Sequence, residues 1–279
     1  MFKTEANKVV YYENGMALAY VSYPFISENT VDINHTIVDS KLQGKGIASQ
    51  LLEYAYNDIK EKNLKAELSC SYAIKWFNKH PEYDDILFDG IRKYQDRDFN
   101  ALYNITKGYW ADEVPMSLEL TDFIYDFLIK YYLYNNEYCY VGLSKGQVGA
   151  FLLSNTRNEV NESERYFKEN IHKLSESDQK KAYEYYEYIN YNHNKVLTFM
   201  PQNSIYLGLI ASKIHSMGSK LIEQLKNAAL KNNIKDIYLW TDETCCFKYY
   251  ENHNFKLIDT YFISLYSQKI KTFIYKMNF

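Results

Sequence analysis

The 279-residue chain has only four cysteines, Cys70, Cys139, Cys245 and Cys246, and none of them forms a CxxC pair. That spacing argues against a structural zinc centre, and no metal site is expected. Apolar runs are short as well: none approaches the ~20 residues of a helical membrane span. The first residues, MFKTEANKVVYYENG, lack the apolar stretch of a secretory signal. A cytoplasmic protein with reduced thiols and no membrane partner is the expectation. Charge of one sign is missing too. Thirty-two Lys+Arg stand against 35 Asp+Glu, a net −3, so no basic stripe announces a nucleic-acid partner. An anionic ligand would have to be held by local geometry, not by the field of the whole protein.

Hydrophobic residues make up 47% and charged residues 24%, the balance of a globular protein, and the length suits two domains. The thirty tyrosines are read as a compositional bias, and the stretch YEYYEYINY at 183–191 is given no functional weight.

Residues 8–13 and 16–23 form a predicted hairpin around the turn dipeptide Asn14-Gly15. Residues 30–38 alternate like one strand. A glycine-containing loop at 39–46 leads into a helix over 47–62, with Ile47, Leu51, Leu52, Ala55 and Ile59 on one face. A strand at 64–69 and a short helix at 72–79 follow, the latter stopped by His80-Pro81. The pattern restarts near 85–90: a strand at 91–95, a helix opened by DRDF, a helix at 118–134, and a hairpin across Ser144-Lys145-Gly146. Residues 155–195 read as a polar helical insertion, either a lid and acceptor-side wall or a solvated decoration. A strand at 204–211, a loop at 212–218, a helix at 219–232, a strand at 234–240, a helix through TCCFKYYENH and two strands complete the chain.

The two halves superimpose at a fixed offset of 170 positions. The run Gln43-Gly44-Lys45-Gly46-Ile47-Ala48-Ser49 falls on Lys213-Ile214-His215-Ser216-Met217-Gly218-Ser219. Asn63-Leu64-Lys65 falls on Asn233-Ile234-Lys235, Phe77 on Phe247 and His80 on Tyr250. Element order and helix length match throughout, which implies a shared architecture.

A glycine turn that ends a strand and opens a helix presents free backbone N–H groups at the positive end of a helix dipole. This is an anion site suited to a pyrophosphate. Gly44 and Gly46 permit positive φ, Lys45 adds charge, and Ser49 offers a hydroxyl in the first turn. The spacing matches neither a Walker loop nor GxGxxG.

Gln43, Gly46 and Ala48 resemble the Q/R-x-x-G-x-G/A motif of the GNAT superfamily of N-acetyltransferases. Around it, Asn34-His35-Thr36, Leu68-Ser69-Cys70-Ser71-Tyr72, Trp76 and His80-Pro81-Glu82-Tyr83 resemble the short YjdJ-type GNAT family over nearly the whole first half. The second half resembles a full-length GNAT domain, with Tyr249-Tyr250-Glu251-Asn252-His253-Asn254-Phe255 similar to the family's Y-E-x-x-G-F segment. Its loop departs further, with Lys213 for Gln/Arg and Ser216 for the first glycine.

The resemblance implies an α/β (α+β) fold of two GNAT-like modules, each a mixed central sheet flanked by helices, over residues 1–88 and 89–279. It implies an acetyl-CoA-dependent transfer to a small-molecule or peptide amine by direct attack in a ternary complex, in a protein that a homo-oligomer would also suit. Acetyl-CoA would be held by Ile37, Val38, Gln43, Gly44, Lys45, Gly46, Ile47, Ala48 and Ser49 in the first module. In the second it would be held by Leu209, Ile210, Lys213, His215, Ser216, Met217, Gly218 and Ser219. The carbonyl-polarising strands are 36–39 and 207–211. Tyr250 occupies the place of a general acid for the thiolate, and Cys70 with His35 would form a reactive pair near the thioester. The other reading of Tyr250 is a core tyrosine, and of Cys70 and His35 a buried thiol and a hydrogen-bonded core histidine. The alternative function is an acyl-CoA-binding or regulatory protein with one or both modules catalytically degenerate.

Overall fold

Residues at positive φ set the turns of the N-terminal part. Asn7 (φ 55°) joins β1 (Phe2–Glu5) to β2 (Lys8–Glu13), and Asn14 with Gly15 (50° and 79°) joins β2 to β3 (Met16–Ser22). The computed structural model describes residues 1–110, 116–157, 161 and 163–279. Backbone contacts divide these into two units, Met1–Gly90 with Leu143–Gln147, and Ile91–Gly142 with Val148–Phe279.

In the first unit, β4 (Phe25–Ser27), β5 (Thr30–Ile33), β6 (His35–Val38), α1 (Ile47–Glu61), β7 (Lys65–Leu68) and α2 (Ser71–Lys79) follow in order. The expected single strand at 30–38 is two strands in two sheets. β5 pairs in parallel with β7, whereas β6 pairs antiparallel with β3 in the sheet β1-β2-β3-β6. The ladder ends because the Ile33 carbonyl accepts from both Ser69 N (3.3 Å) and Cys70 N (3.0 Å), which turns the chain after β7 away into α2. Asn34 is tied to the β3 side, its N–H donating to the Ser22 carbonyl and its Oδ1 accepting from Ser22 Oγ. The sheet therefore opens between β6 and β7. Over it lies α1, whose Leu51, Leu52, Ala55 and Ile59 are buried against Val9, Val21, Val31, Ile33 and Ala66.

The second unit holds, apart from Gly90 and the Leu143–Gln147 turn, β8 (Gly90–Lys93), α3 (Phe99–Trp110), α4 (Leu118–Tyr132), β9 (Tyr140–Ser144), β10 (Gln147–Thr156), α5 (Ser163–Asn170), α6 (Glu176–Leu197), β11 (Ile205–Ser212), α7 (Met217–Lys231), β12 (Asp236–Asp242), α8 (Lys248–Glu251), β13 (Lys256–Leu265) and β14 (Gln268–Asn278). Its seven-stranded sheet runs β13-β14-β12-β11-β10-β9-β8. β11 pairs in parallel with β12 only at Ile205↔Ile237 and Tyr206↔Tyr238, and this sheet opens after that point too.

Strand alternation separates the faces. Ile205, Leu207, Ile237 and Leu239 pack with Leu221, Ile222 and Leu225 of α7. Tyr206 and Trp240 point the other way, toward Tyr132 of α4 and Tyr188 and His193 of α6. The insertion is thus a wall of the sheet and not a solvated decoration: α6 buries Ala182, Tyr188, Ile189, Asn192 and Val196. Residues 158–160 and 162 of the expected insertion lie outside the described residues. Among the described residues no helix is long and apolar enough to cross a membrane.

The ends of α1 and α7 repeat at the offset read from the sequence. Both helices are 15 residues long. Each is followed by an asparagine at positive φ, Asn63 (53°) and Asn233 (58°). In each, the next N–H reaches back five residues, Leu64 N to Ile59 O (3.0 Å) and Ile234 N to Ala229 O (2.9 Å). This is the hydrogen bond that closes a helix through a left-handed C′ residue.

Gly208 is the extra residue of β11 where Leu153 faces Leu209 and Ser154 faces Leu207. A Cβ at Gly208 would lie 2.2 Å from Cδ1 of Tyr132. Tyr132 is buried and cannot yield without opening the core. Gly208→Ala is expected to destabilise the second unit by about 1–3 kcal/mol in a urea titration. In a double-mutant cycle Tyr132→Ala, which removes the colliding Cγ and Cδ1, should couple favourably with Gly208→Ala, and Tyr132→Phe, which keeps both atoms, should not.

Candidate functional site

In the first unit a short 3-10 turn, Ser40–Leu42, precedes the loop. Gly44 (φ 76°) and Gly46 (φ 77°) are both left-handed, where an L side chain is strained. Nothing lies within 4 Å of a Cβ built on Gly44, and only Gln50 Nε2, at 4.0 Å, approaches one on Gly46. Gly46 is the N-cap of α1 and no side chain caps the helix. First-turn amides without a side-chain cap, at the positive end of the dipole and beneath open space, are the kind of backbone arrangement that can meet an anion. Gln43, Gly44, Lys45 and Gly46 are all exposed there.

The second unit builds the same cradle with a different residue. Ser216, the counterpart of Gly46, is left-handed (φ 60°) and is the N-cap of α7, again without a side-chain cap. Its Oγ lies 2.8 Å from His215 Nδ1. Around it is an open cleft of about 390 Å³ lined by Ser212, Lys213, Ile214, His215, Ser216, Gly218, Ser219 and Tyr249. Tyr109 Oη donates to the Ser212 carbonyl (2.7 Å), fixing the start of this loop against α3.

The openings of both sheets lie beside these loops. Beyond Ile33 and beyond Tyr206 the strand leading to each loop keeps one partner, β3 or β10, and loses the other. Ile37 is exposed, Val38 packs toward the core of its unit, and Leu209 and Ile210 are half-buried on the open stretch of β11.

Four sequence expectations change. Cys70 and His35 are not a pair: Cys70 Sγ contacts Thr36 Oγ1 at 3.6 Å. Thr36 shares its face with the inward Val38, so alternation sends His35 to the opposite, exposed face. The Ser49 hydroxyl is engaged, accepting from Trp76 Nε1 (2.7 Å) and donating to Glu53 Oε1 (3.4 Å). Met217 is a core residue, because α7 starts two positions earlier than the expected 219. A Cβ on Gly142 would meet its Cγ at 2.5 Å, so only the Met217 backbone can face a ligand. Ile47, too, packs its side chain against the core.

Ser219, by contrast, belongs to a network that the sequence reading missed. Its Oγ lies 2.9 Å from His253 Nε2 and 3.2 Å from Tyr249 Oη, and His253 Nδ1 lies 2.7 Å from the Tyr249 carbonyl. The Tyr249 and His253 rings stack at 3.9 Å. That i,i+4 spacing was legible in KYYENH. In the first unit the corresponding serine, Ser49, is likewise held by an aromatic cluster, with Trp76 against His80 (4.6 Å) and Tyr83 (4.9 Å).

Tyr250 packs against Phe255 (5.5 Å) and Tyr275 (5.8 Å), and its backbone N–H is held by the Phe247 carbonyl. Burial pushes its phenol well above the ordinary range, and the nearby Cys245 and Tyr249 add to this. Its hydroxyl stays protonated throughout neutral pH.

Residues 8–86 match the model of the family described as GCN5-related N-acetyl-transferase. Through this segment the chain belongs to the GCN5-related N-acetyltransferase family. It is 36% identical over 63 residues to Protein NATD1 of Xenopus tropicalis, a match covering 23% of this chain and 58% of that relative. The chain therefore spans little more than half of the curated relative. A GCN5-like protein from Staphylococcus aureus of known structure is 32% identical, with 32% of this chain and 87% of that one covered and a TM-score of 0.28. A polyamine N-acetyltransferase of Drosophila melanogaster is 12% identical, with 68% and 99% covered and a TM-score of 0.46, a likeness that says nothing of the acceptor.

Proposed function

We propose that this protein is an acetyl-CoA-dependent N-acetyltransferase of two GNAT modules, 1–88 and 89–279. The observation that supports it best is shared by both units: a sheet opens beside an uncapped helix N-terminus with a left-handed residue at the cap. The open cradle over Gly44 and Gly46 and the cleft around Ser216 both fit a pyrophosphate. Bound there, acetyl-CoA supplies a thioester-activated acetyl group. Gly46, Ile47 and Ala48 offer backbone N–H groups to the phosphates, with Lys45 alongside. In the second unit, His215, Ser216, Met217 and Gly218 do so with Lys213, and Ser219 is oriented by His253 and Tyr249.

The N–H groups of 36–39 and 207–211 that have no partner strand polarise the carbonyl, and the acceptor amine attacks directly in a ternary complex. Tyr250 holds a proton at Oη for delivery into the second opening. The first module is the better candidate for a binding or regulatory role, because Cys70 and His35 are on opposite faces.

Calorimetry with acetyl-CoA on the full chain, on Gly46→Trp and on Gly218→Trp tests this. A Cβ at Gly218 meets Tyr249 Oη at 3.2 Å, so the indole must enter the cleft. Two sites in the parent and one in each variant are expected. Absence of binding in all three sinks the proposal.

A further inference from the structure

Ser49 and Ser219 are each the third residue of their helix, and in each unit an aromatic side chain holds the hydroxyl. The two holders differ in what they can do with a proton. In the first unit the holder is Trp76, whose Nε1–H donates to Ser49 Oγ (2.7 Å). Indole has a donor, no acceptor and no titration. Ser49 therefore accepts from it at every pH, and keeps its own proton, directed at Glu53 Oε1 over 3.4 Å.

In the second unit the holder is His253. Its Nδ1 lies 2.7 Å from the Tyr249 carbonyl, a group that can only accept, so Nδ1 carries a proton. In the neutral imidazole Nε2 is then bare. Nε2 lies 2.9 Å from Ser219 Oγ, so the serine is the donor. That hydrogen bond uses the one proton Ser219 has. The 3.2 Å contact with Tyr249 Oη must run the other way, the phenol donating to the serine. Burial raises that phenol, so its proton is present. Ser219 and Tyr249 both line the cleft, yet with His253 neutral Ser219 has only lone pairs left to turn toward it. A phosphate oxygen would meet another acceptor there.

Protonation of His253 reverses this. Both ring nitrogens then donate, Nδ1–H to the carbonyl as before and Nε2–H to Ser219 Oγ. The serine proton is released and can be given to a phosphate oxygen, a hydrogen bond strengthened by the charge of its acceptor. No heavy atom has to move, because the observed separations suit either direction.

Other charges surround the ring. On α7 they are Lys220 and Glu223, both exposed, with Glu223 paired to Lys226 (3.5 Å). On α8 and the turn before it are Cys245, Cys246, Lys248, Tyr250 and Glu251, and Glu251 accepts from Tyr275 Oη (2.9 Å). β13 opens with Lys256, and the loop before α7 brings Lys213 and His215. Of these residue types only imidazole ordinarily changes charge between about pH 6 and pH 8, which leaves His253 and His215. His215 Nδ1 is engaged with Ser216 Oγ (2.8 Å), so the route through Ser219 belongs to His253.

Resting on the acetyltransferase reading, we propose that His253 is a positioning residue for the coenzyme of the second module. Its protonation turns Ser219 from an acceptor into a donor toward the pyrophosphate. The second module thus takes up a proton as it binds acetyl-CoA, whereas the first, with Trp76 holding its serine, does not. Affinity is highest where the free imidazole is already protonated and falls as pH rises through its titration.

The probe is dephospho-coenzyme A, which keeps the pyrophosphate but lacks the phosphate monoester that itself titrates near neutrality. Calorimetry uses the full chain with Gly46→Trp, which closes the first cradle, and His215→Asn, which removes the other imidazole. Binding near pH 6 should be about tenfold tighter than near pH 8. Buffers of different ionisation enthalpy should show proton uptake between the two. His253→Gln, whose amide keeps a donor available to Ser219 at any pH, should make the affinity independent of pH, and so should Ser219→Ala. The chain with Gly218→Trp, which leaves the first module, should be flat as well. Histidine-selective nitrogen NMR of the unliganded full chain, assigned by His253→Gln, should find the proton of neutral His253 on Nδ1.

Equal affinity at both pH values before the His253 and Ser219 substitutions would overturn the proposal. So would a pH dependence that survives either of them, or a neutral His253 protonated on Nε2. Absence of binding at both pH values in both backgrounds would instead fail the acetyltransferase reading, and the tautomer would still decide whether Ser219 donates to His253.

Discussion

Above pH 10 the second unit is expected to lose about 5 kcal/mol of stability per pH unit, enough to unfold an ordinary domain before pH 12. Four of the buried phenols already account for this, and Tyr185 and Tyr250, raised by burial in the same way, steepen it. Burial holds Tyr131, Tyr188 and Tyr206 far above the ordinary tyrosine range, with the Asp242 charge adding to Tyr188, and it pushes Tyr132 up to about 12. The unfolded chain releases these protons near pH 10 and the folded chain keeps them. The unfolded state then binds fewer protons, so the slope of stability against pH is negative. Below pH 10 both states are protonated and the contribution is fully present. Each phenol adds about 1.4 kcal/mol per pH unit. Urea titrations between about pH 8 and pH 12, with tyrosinate absorbance as a second probe, measure the slope. Tyr188→Phe should make it shallower by the share of one phenol. Titration of all four at an ordinary midpoint in the folded protein would refute the account.

Those tyrosines also mark where sequence reading stopped. The stretch 183–191 looked compositional because tyrosine is frequent everywhere in the chain. Yet Tyr188 is directed at Asp242, 54 positions away, and no local pattern carries that contact. What local backbone chemistry dictates was legible. Asn14-Gly15, Gly44, Gly46 and the paired Asn63 and Asn233 are all turn or cap positions whose φ the residue type foretells. The repeat was legible for the same reason, since a loop, a helix length and a C-terminal asparagine recur at one offset.

The break at Asn34 was not. Residues 30–38 alternate evenly, and only the Ile33 carbonyl, claimed by Ser69 and Cys70, decides that β5 and β6 part. That same break undid the Cys70–His35 pair, because one residue of alternation changes the face. Met217 went wrong by two residues of helix start, the kind of error to which boundaries are most prone.

Tyr250→Phe is expected to lower kcat for acetyl transfer by about 10²-fold or more, the lower end of what a positioned general acid contributes. The proposal gives Tyr250 one task, holding a proton at Oη for the leaving thiolate. Burial raises its phenol, so the proton is present at every pH where the protein is folded. The alkaline limb of the pH–rate profile should therefore be flat up to about pH 9, and the variant should lower the plateau without moving that limb. Stability should hardly change. The ring contacts with Phe255 and Tyr275 survive in phenylalanine, and among the described residues the hydroxyl makes no hydrogen bond that would be lost. Calorimetry should find acetyl-CoA affinity unaltered, since the loop at Lys213–Gly218 is untouched. An unchanged kcat would make Tyr250 a core tyrosine only. The acid would then have to be sought in Tyr249, whose hydroxyl lines the cleft beside Ser219 and whose phenol burial also raises. Tyr249→Phe separates the two, because it breaks the Ser219 contact and should weaken acetyl-CoA binding as well as turnover.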